Sequence, residues 1–293
     1  MRSLIYDENQ VKKFYKDIIL TNPLGPFDTD FFCVAARKKY MSQEDRERTR
    51  LGDTTLLEKT PLRNSSQEIF LHHLQKVDAC LDHLYSHSGE IIPRSCMVFY
   101  MNVNHTSMIN ALKSLKIDIA TVEAELYDVF VKNGSRENIG NKLKRLDNLT
   151  LKEYQDPKNV SKRFWIDIDM DISTDLISAK EIKEALDAGL SKKEVPNFKI
   201  LKPYEIIQTK GGYHILVNTD MISLHNTAWS DYVKANNTHN FKERVRSVKD
   251  FLDILEILVK TRGIEAKEIK VNQNAMVPIP GTLQGGVEVK ICN

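Results

Sequence analysis

The run Phe164-Trp165-Ile166-Asp167-Ile168-Asp169-Met170-Asp171 puts three carboxylates at alternate positions. In an extended strand that period sets Asp167, Asp169 and Asp171 on one face, with Trp165 in the same parity, and Ile166, Ile168 and Met170 on the other. The carboxylates then stand ~6.5–7 Å apart at Cα. Left alone they repel one another, and Asp is a poor strand former, so such a row calls for positive charge. A divalent cation suits it, because carboxylates are hard oxygen donors. The competing reading of so short a pattern is a solvated acidic strand face.

A second set lies at 209–214. Thr209-Lys210-Gly211-Gly212 reads as a tight turn, since two glycines supply positive φ cheaply, and Tyr213-His214 opens the returning strand. Gly212 and His214 share one strand face and Lys210 sits at the turn, so Lys210 and His214 can converge on one anion. A lone strand histidine is commonly a satisfied core residue, but the amides of Lys-Gly-Gly point toward phosphate. Residues 37–50 carry six basic side chains against three acidic ones. At a strand end that run, led by Arg37 and Lys38, is either a phosphate-contacting loop or a solvated one. His83 and His87 are four apart, as metal ligands can be, yet no carboxylate falls in register, and they read as surface histidines.

These groups need elements to hold them. Hydrophobic periodicity predicts helices over 8–21, 66–87, 106–132 (with a break near Lys116), 178–189 and 240–262. Strands are expected at 30–36, 96–103, 166–171, 204–208, 213–217 and 265–271, with an irregular segment at Pro278-Ile279-Pro280-Gly281 and an edge strand at 287–291. Residues 134–163 are polar, with eight basic and four acidic side chains; they read as a connector between halves or a template-binding surface. From residue 166 on, the order is βα, β-hairpin, α, β, close to a split βαβ, RRM-like unit that sets the acidic strand centrally.

The chain has 293 residues, 41% hydrophobic and 28% charged, with a net charge of +2. That is enough for one large or two packed domains, and any nucleic-acid surface must be a local patch. Four scattered cysteines with no CxxC argue against structural zinc and for a reducing compartment. No apolar run of spanning length and no signal core are present, so a cytoplasmic protein with no membrane partner is expected.

In three motifs, taken in order over about residues 160–291, the sequence resembles the archaeo-eukaryotic primase superfamily, the primase-polymerases. They are Ile166-Asp167-Ile168-Asp169 for the family's hydrophobic-Asp-hydrophobic-Asp, Gly212-Tyr213-His214 for its Ser-x-His, and Pro280-Gly281-Thr282-Leu283-Gln284 for its Pro-Gly-Ser/Thr-Leu-His. Ala35-Ala36-Arg37-Lys38-Lys39-Tyr40 resembles the entry to the family's N-terminal subdomain. The chain departs from the pattern at Gly212, at Gln284, and at Val277 or Pro278 where an arginine is usual. The third family carboxylate falls nearest Ala266, which assigns it to Glu265, with Glu268 as the alternative.

The resemblance implies an α/β (α+β) catalytic core: an N-terminal α/β subdomain, residues 1–160, packed on an RRM-like sheet subdomain, residues 161–293. It implies a DNA primase or DNA-directed polymerase, a nucleotidyltransferase acting on single-stranded DNA template with NTP or dNTP. Asp167, Asp169 and Glu265 would hold two Mg²⁺ or Mn²⁺ ions about 3.5–4 Å apart. Lys210 and His214 would grip the triphosphate, with Arg37, Lys38 and Lys290 on phosphate or template, and Tyr213 or Tyr100 would sit near the sugar. Asp171 would lie outside the ion pair. Asp167 and Asp169 are expected to point away from the core. With no zinc segment and no GxxxxGK[ST], a helicase or a C-terminal accessory domain would complete the machinery. The setting expected is a phage, plasmid or other mobile element in its host's cytoplasm. Competing readings are a two-metal nuclease and a non-catalytic single-stranded nucleic-acid-binding module, which would present aromatic rather than acidic residues on its sheet.

Overall fold

Asp7 caps the first helix by accepting the amide hydrogens of Asn9 and Gln10; α1 runs Glu8–Phe14 and continues as a π turn, Tyr15–Ile19. A computed structural model of the chain describes residues 3–22, 24–62, 65–86, 88–131, 153, 156–161, 164–191, 203–219, 241–272 and 276–292. The mainly apolar run Asp28–Arg37 is strand β1. The basic stretch after it is not a loop: a 3-10 turn, Lys38–Tyr40, leads into helix α2, Gln43–Thr49, which Ser42 caps. Strand β2, Thr54–Leu62, was not anticipated; helix α3, Gln67–Cys80, stops short of the expected residue 87. Strands β3, Met97–Asn102, and β4, Thr106–Ser107, precede helix α4, Met108–Val131, which runs without the break expected near Lys116.

β5, Trp165–Met170, is followed by helix α5, Ala179–Ser191, and by the hairpin of β6, Tyr204–Gln208, and β7, Tyr213–Asn218. Helix α6, Phe241–Thr261, leads to β8, Ile269–Asn272. The segment expected to be irregular begins as a strand, β9, Met276–Pro278; short strands β10, Leu283–Gln284, β11, Val287–Glu288, and β12, Lys290–Cys292, close the chain. The expected connector or template surface at 134–163 lies, apart from Glu153 and residues 156–161, outside the described residues.

The architecture is mixed α and β with antiparallel sheets. One sheet has the order β2-β1-β3-β9, with β4 also on β1. The other is β12-β6-β7-β5-β8, so the acidic strand has a neighbour on each side. Its connections, β5-α5-β6-β7-α6-β8, are those of a split βαβ unit. Ile166, Ile168 and Met170 pack against Leu186 of α5 and Phe251 and Leu255 of α6. The first sheet does not stop at residue 160, because β9 pairs with β3: Tyr100 lies opposite Pro278 and Met101 opposite Val277.

The Trp165 end of the acidic face does not look out into solvent. Trp165, Ile207 and Leu216, which share it, belong to the same apolar cluster as Phe14, Phe32, Phe70 and Phe99. The two sheets are therefore joined through one core. Asn104 makes that joint specific: its amide nitrogen donates to the Trp165 carbonyl and its oxygen accepts the Trp165 amide hydrogen, both at 2.8 Å. The Trp165 indole donates to the Ile18 carbonyl at 2.9 Å. Beside this clasp, His105 pairs with buried Asp30 and donates through Nε2 to the Asn22 carbonyl at 2.6 Å. Strand β5 thus starts from a fixed point. Replacing Asn104 by Ala would take away the side-chain partner of both backbone polar groups of buried Trp165. Equilibrium urea unfolding of Asn104→Ala is expected to show a loss of about 2–4 kcal/mol, and a loss below 0.5 kcal/mol would remove the clasp from the account.

Candidate active site

The β5–β7 ladder sets Asp169 opposite His214 and Asp167 opposite Leu216; the β5–β8 ladder sets Asp167 opposite Asn272 and Asp169 opposite Lys270. Facing residues in an antiparallel pair share a side of the sheet. His214, Lys270 and Asn272 therefore flank the carboxylate row. His214 donates through Nδ1 to Asp167, 3.1 Å from each oxygen, and its Nε2 lies 4.0 Å from Asp169. Asn272 Nδ2 donates to Asp167 at 2.9 Å and approaches Asp169 at 3.4 Å. Lys270 pairs with Asp171 at 3.0 Å.

Burial grades the row: the side chain of Asp167 is 0% exposed, that of Asp169 24% and that of Asp171 45%. Asp167 therefore points into the joint between the sheets, not away from the core as expected. Burial raises the Asp169 carboxyl above its ordinary value; His214 opposes that rise, while Asp167 and Asp171 add to it. For His214, burial pulls the imidazole down, but Asp167, Asp169 and Asp171 outweigh it and the result is a raised pKa.

Cationic groups gather beyond one end of the row. Arg37 donates to the Tyr100 hydroxyl at 2.8 Å. Lys39 and Lys210 lie over the Tyr40 ring, with Nζ 5.3 and 4.8 Å from its centroid. Lys210 also donates from Nζ to the Gly285 carbonyl at 2.8 Å, and its amide donates to Gln284 Oε1 at 2.9 Å. Burial pushes the Tyr40 phenol up to about 12, with Tyr100 and Asp171 adding to the rise. Gly212, at φ +147°, allows the hairpin to close on β5, since a Cβ there would sit 2.0 Å from the Met170 carbonyl oxygen. A serine at this position, as in the family motif, does not fit this backbone.

Of the residues singled out in the sequence, Asp167, Asp169 and His214 come together. Arg37 and Lys210 join through Tyr100, Tyr40 and Gln284 rather than through His214. Glu265 does not arrive. It is an exposed residue paired with Lys267 at 2.7 Å, because the 3-10 turn Ala266–Glu268 separates it from β8. Glu268 gives only its carbonyl, to the Asp171 amide. Asp171, expected outside the ion pair, follows the last residue of β5, is more exposed than Asp167 or Asp169, and pairs with Lys270. Lys290 lies on the outer strand β12, paired with Glu288 at 2.7 Å. Tyr213 faces the other side of the sheet and donates to the Ile177 carbonyl, which leaves Tyr100 of the two tyrosines near the site. Asn272, Lys39, Tyr40 and the role of Gln284 were missed. Period-two alternation back from Lys270 and Asn272 was the signal available for Asn272.

Oxygens of Asp167 and Asp169 both lie within 3.4 Å of Asn272 Nδ2, so the two carboxylates stand close together, and carboxylate oxygens are the donors a hard cation takes. Among the described residues no three His, Cys, Asp or Glu side chains converge as a ligand cluster, so the expected set of Asp167, Asp169 and Glu265 for two ions is not assembled. No family model, curated protein or solved structure matches the chain. No described helix is long and apolar enough to cross a membrane.

A raised imidazole pKa has a defined sign in stability. The His214–Asp167 pair contributes fully below the ordinary histidine value, ~6.5, and is lost as pH rises through the elevated value. A proton NMR titration is expected to place His214 above ~6.5, and Asp167→Asn should move it down. A His214 that titrates unchanged in the variant would remove the charge pairing.

Proposed function

We propose that this chain is a template-directed nucleotidyltransferase of the primase-polymerase kind, working on single-stranded DNA with NTP or dNTP. The observation that carries the reading is the juxtaposition of two environments. Asp167 and Asp169, on a central strand, share one amide donor, while Arg37, Lys39 and Lys210 gather around Tyr40 at the Asp171 end of the same row. Phosphoryl transfer needs charge neutralisation and alignment more than a protein nucleophile, and this site offers hard oxygen donors beside anion-binding cations. Asp167 and Asp169 would hold Mg²⁺ or Mn²⁺, which would supply a lower pKa for the attacking hydroxyl and charge neutralisation for phosphate oxygens.

The chain's own residues do the rest. His214 and Asn272 hold Asp167 in one rotamer, so the carboxylate is oriented before a nucleotide arrives. Lys270 holds Asp171. Arg37, Lys39 and Lys210 offer donors to triphosphate oxygens, with the Gly211-Gly212 backbone at the same turn. The binding-module reading loses its stacking platform, because Trp165, the aromatic on this face, is buried with its N–H bonded to Ile18. A replicative helicase or accessory domain and a host-cell cytoplasmic setting belong to the same proposal.

The test is a polymerisation assay with unprimed and primed single-stranded DNA, labelled NTP or dNTP, and Mg²⁺ or Mn²⁺. Asp169→Asn is the informative control, since Asp167 is fully buried and its loss would leave His214 unpaired. New strands from unprimed template, reduced about a hundredfold or more in Asp169→Asn at unchanged circular dichroism, are expected. Extension of primed template alone would make it a polymerase that initiates with help. Template degradation would replace the reading with a nuclease, and binding without metal-dependent chemistry would replace it with a binding module.

A further inference from the structure

Arg37 and Lys210 stand on different sheets, and the distance between them depends on what bridges the crevice. Gln284 does so. It is buried, and β10 sits against β3. Its Oε1 accepts the Lys210 amide hydrogen at 2.9 Å, and its side chain lies near enough to the Tyr100 phenol to oppose the rise that burial gives that group's pKa. The Tyr100 oxygen in turn accepts from Arg37 at 2.8 Å. Two hydrogen bonds, Lys210 to Gln284 and Arg37 to Tyr100, thus meet where β10 packs on β3, and a chain of contacts runs from Lys210 to Arg37. The next residue reinforces it: Lys210 Nζ donates to the Gly285 carbonyl, and a Cβ on Gly285, at φ +57°, would come within 2.8 Å of Lys210 Nζ and of the Tyr40 ring. Arg37 Nε and the Tyr40 hydroxyl are buried polar atoms with no partner among the described residues, and both belong to this cluster.

We propose that Gln284 is a positioning residue, which sets the spacing of Arg37 and Lys210 so that the two cations, one from each sheet, grip a single polyphosphate. A carboxamide suits the task because it accepts and donates at once, so it can satisfy a backbone N–H on one side and a phenol on the other. The inference rests on the nucleotidyl-transfer reading for the identity of the ligand, but not for the existence of the anion site.

The first measurement is calorimetric binding of inorganic tripolyphosphate, without metal, to the full chain. The wild type should bind. Gln284→Met, which keeps the length and removes the hydrogen bond to the Lys210 amide, should weaken binding about tenfold, the scale of one lost hydrogen bond. Tyr100→Phe, a change of one hydroxyl, should weaken it similarly. The double variant should be no worse than the more affected single one, since both break the same chain. In the polymerisation assay, Gln284→Met should raise the nucleotide KM about tenfold with kcat within about threefold, a split that general loosening of the fold would not produce. Tripolyphosphate that does not bind the wild type, or binds both single variants unchanged, would overturn the proposal, as would additive losses in the double variant. A wild type that binds tripolyphosphate in the expected pattern but transfers no nucleotide would leave Gln284 in its role and remove the nucleotidyl-transfer reading.

Discussion

Three carboxylates on one face of one strand repel one another, and the architecture around β5 answers that constraint. A central strand alone offers neighbours on both sides. Here β7 brings His214 to Asp167, and β8 brings Asn272 to Asp167 and Lys270 to Asp171. Each carboxylate is compensated differently. The most buried has an imidazole and an amide, the most exposed has a lysine, and Asp169 between them has the weakest direct partners and a raised pKa. The least compensated carboxylate is also partly open, which makes it the position where added positive charge gains most.

The second sheet supplies the acids and most of what holds them, whereas the first supplies Arg37, Lys39, Tyr40 and Tyr100. Neither sheet alone contains the site. The shared apolar cluster around Phe32, Phe99, Trp165 and Leu216 brings the sheets together without direction, since apolar burial is indifferent to small slides. Direction comes from polar contacts that cross the joint, the Asn104 clasp at one place and the Gln284 chain at another. Their geometry tolerates little displacement.

What could be read from the sequence was what depends on local period. The Asp167-Asp169-Asp171 face, the hairpin around Gly211-Gly212 and the helices flanking β5 all follow from alternation or 3.6-residue repeats. What could not be read was register. The distance from Pro280-Gly281 back to Glu265 counts residues along the chain, but the ladder places Asn272 opposite Asp167, and the Ala266–Glu268 turn takes up the difference. Strand β2 escaped notice because its burial alternates weakly over Thr54–Leu62. Strand β9 ends on Pro278, the first residue of the segment expected to be irregular, and an edge strand accommodates a residue without an N–H. Arg37 was legible as a cation at a strand end, but its partner Tyr100, 63 residues away, was not.

The pairing of Met276–Pro278 with β3 has a consequence for how the protein comes into being. A ribosome releases the first four strands of that sheet long before it makes the fifth. Until residues 276–278 emerge, the open side of β3 exposes unpaired backbone groups and the flank of an apolar strand, a template for wrong partners. The nascent N-terminal half therefore waits, incomplete, while β5 to β8 of the acidic sheet are made. Pairing across so long a separation in sequence is slow to form, and it becomes possible only after Arg37 and the carboxylates of β5 have all been synthesised.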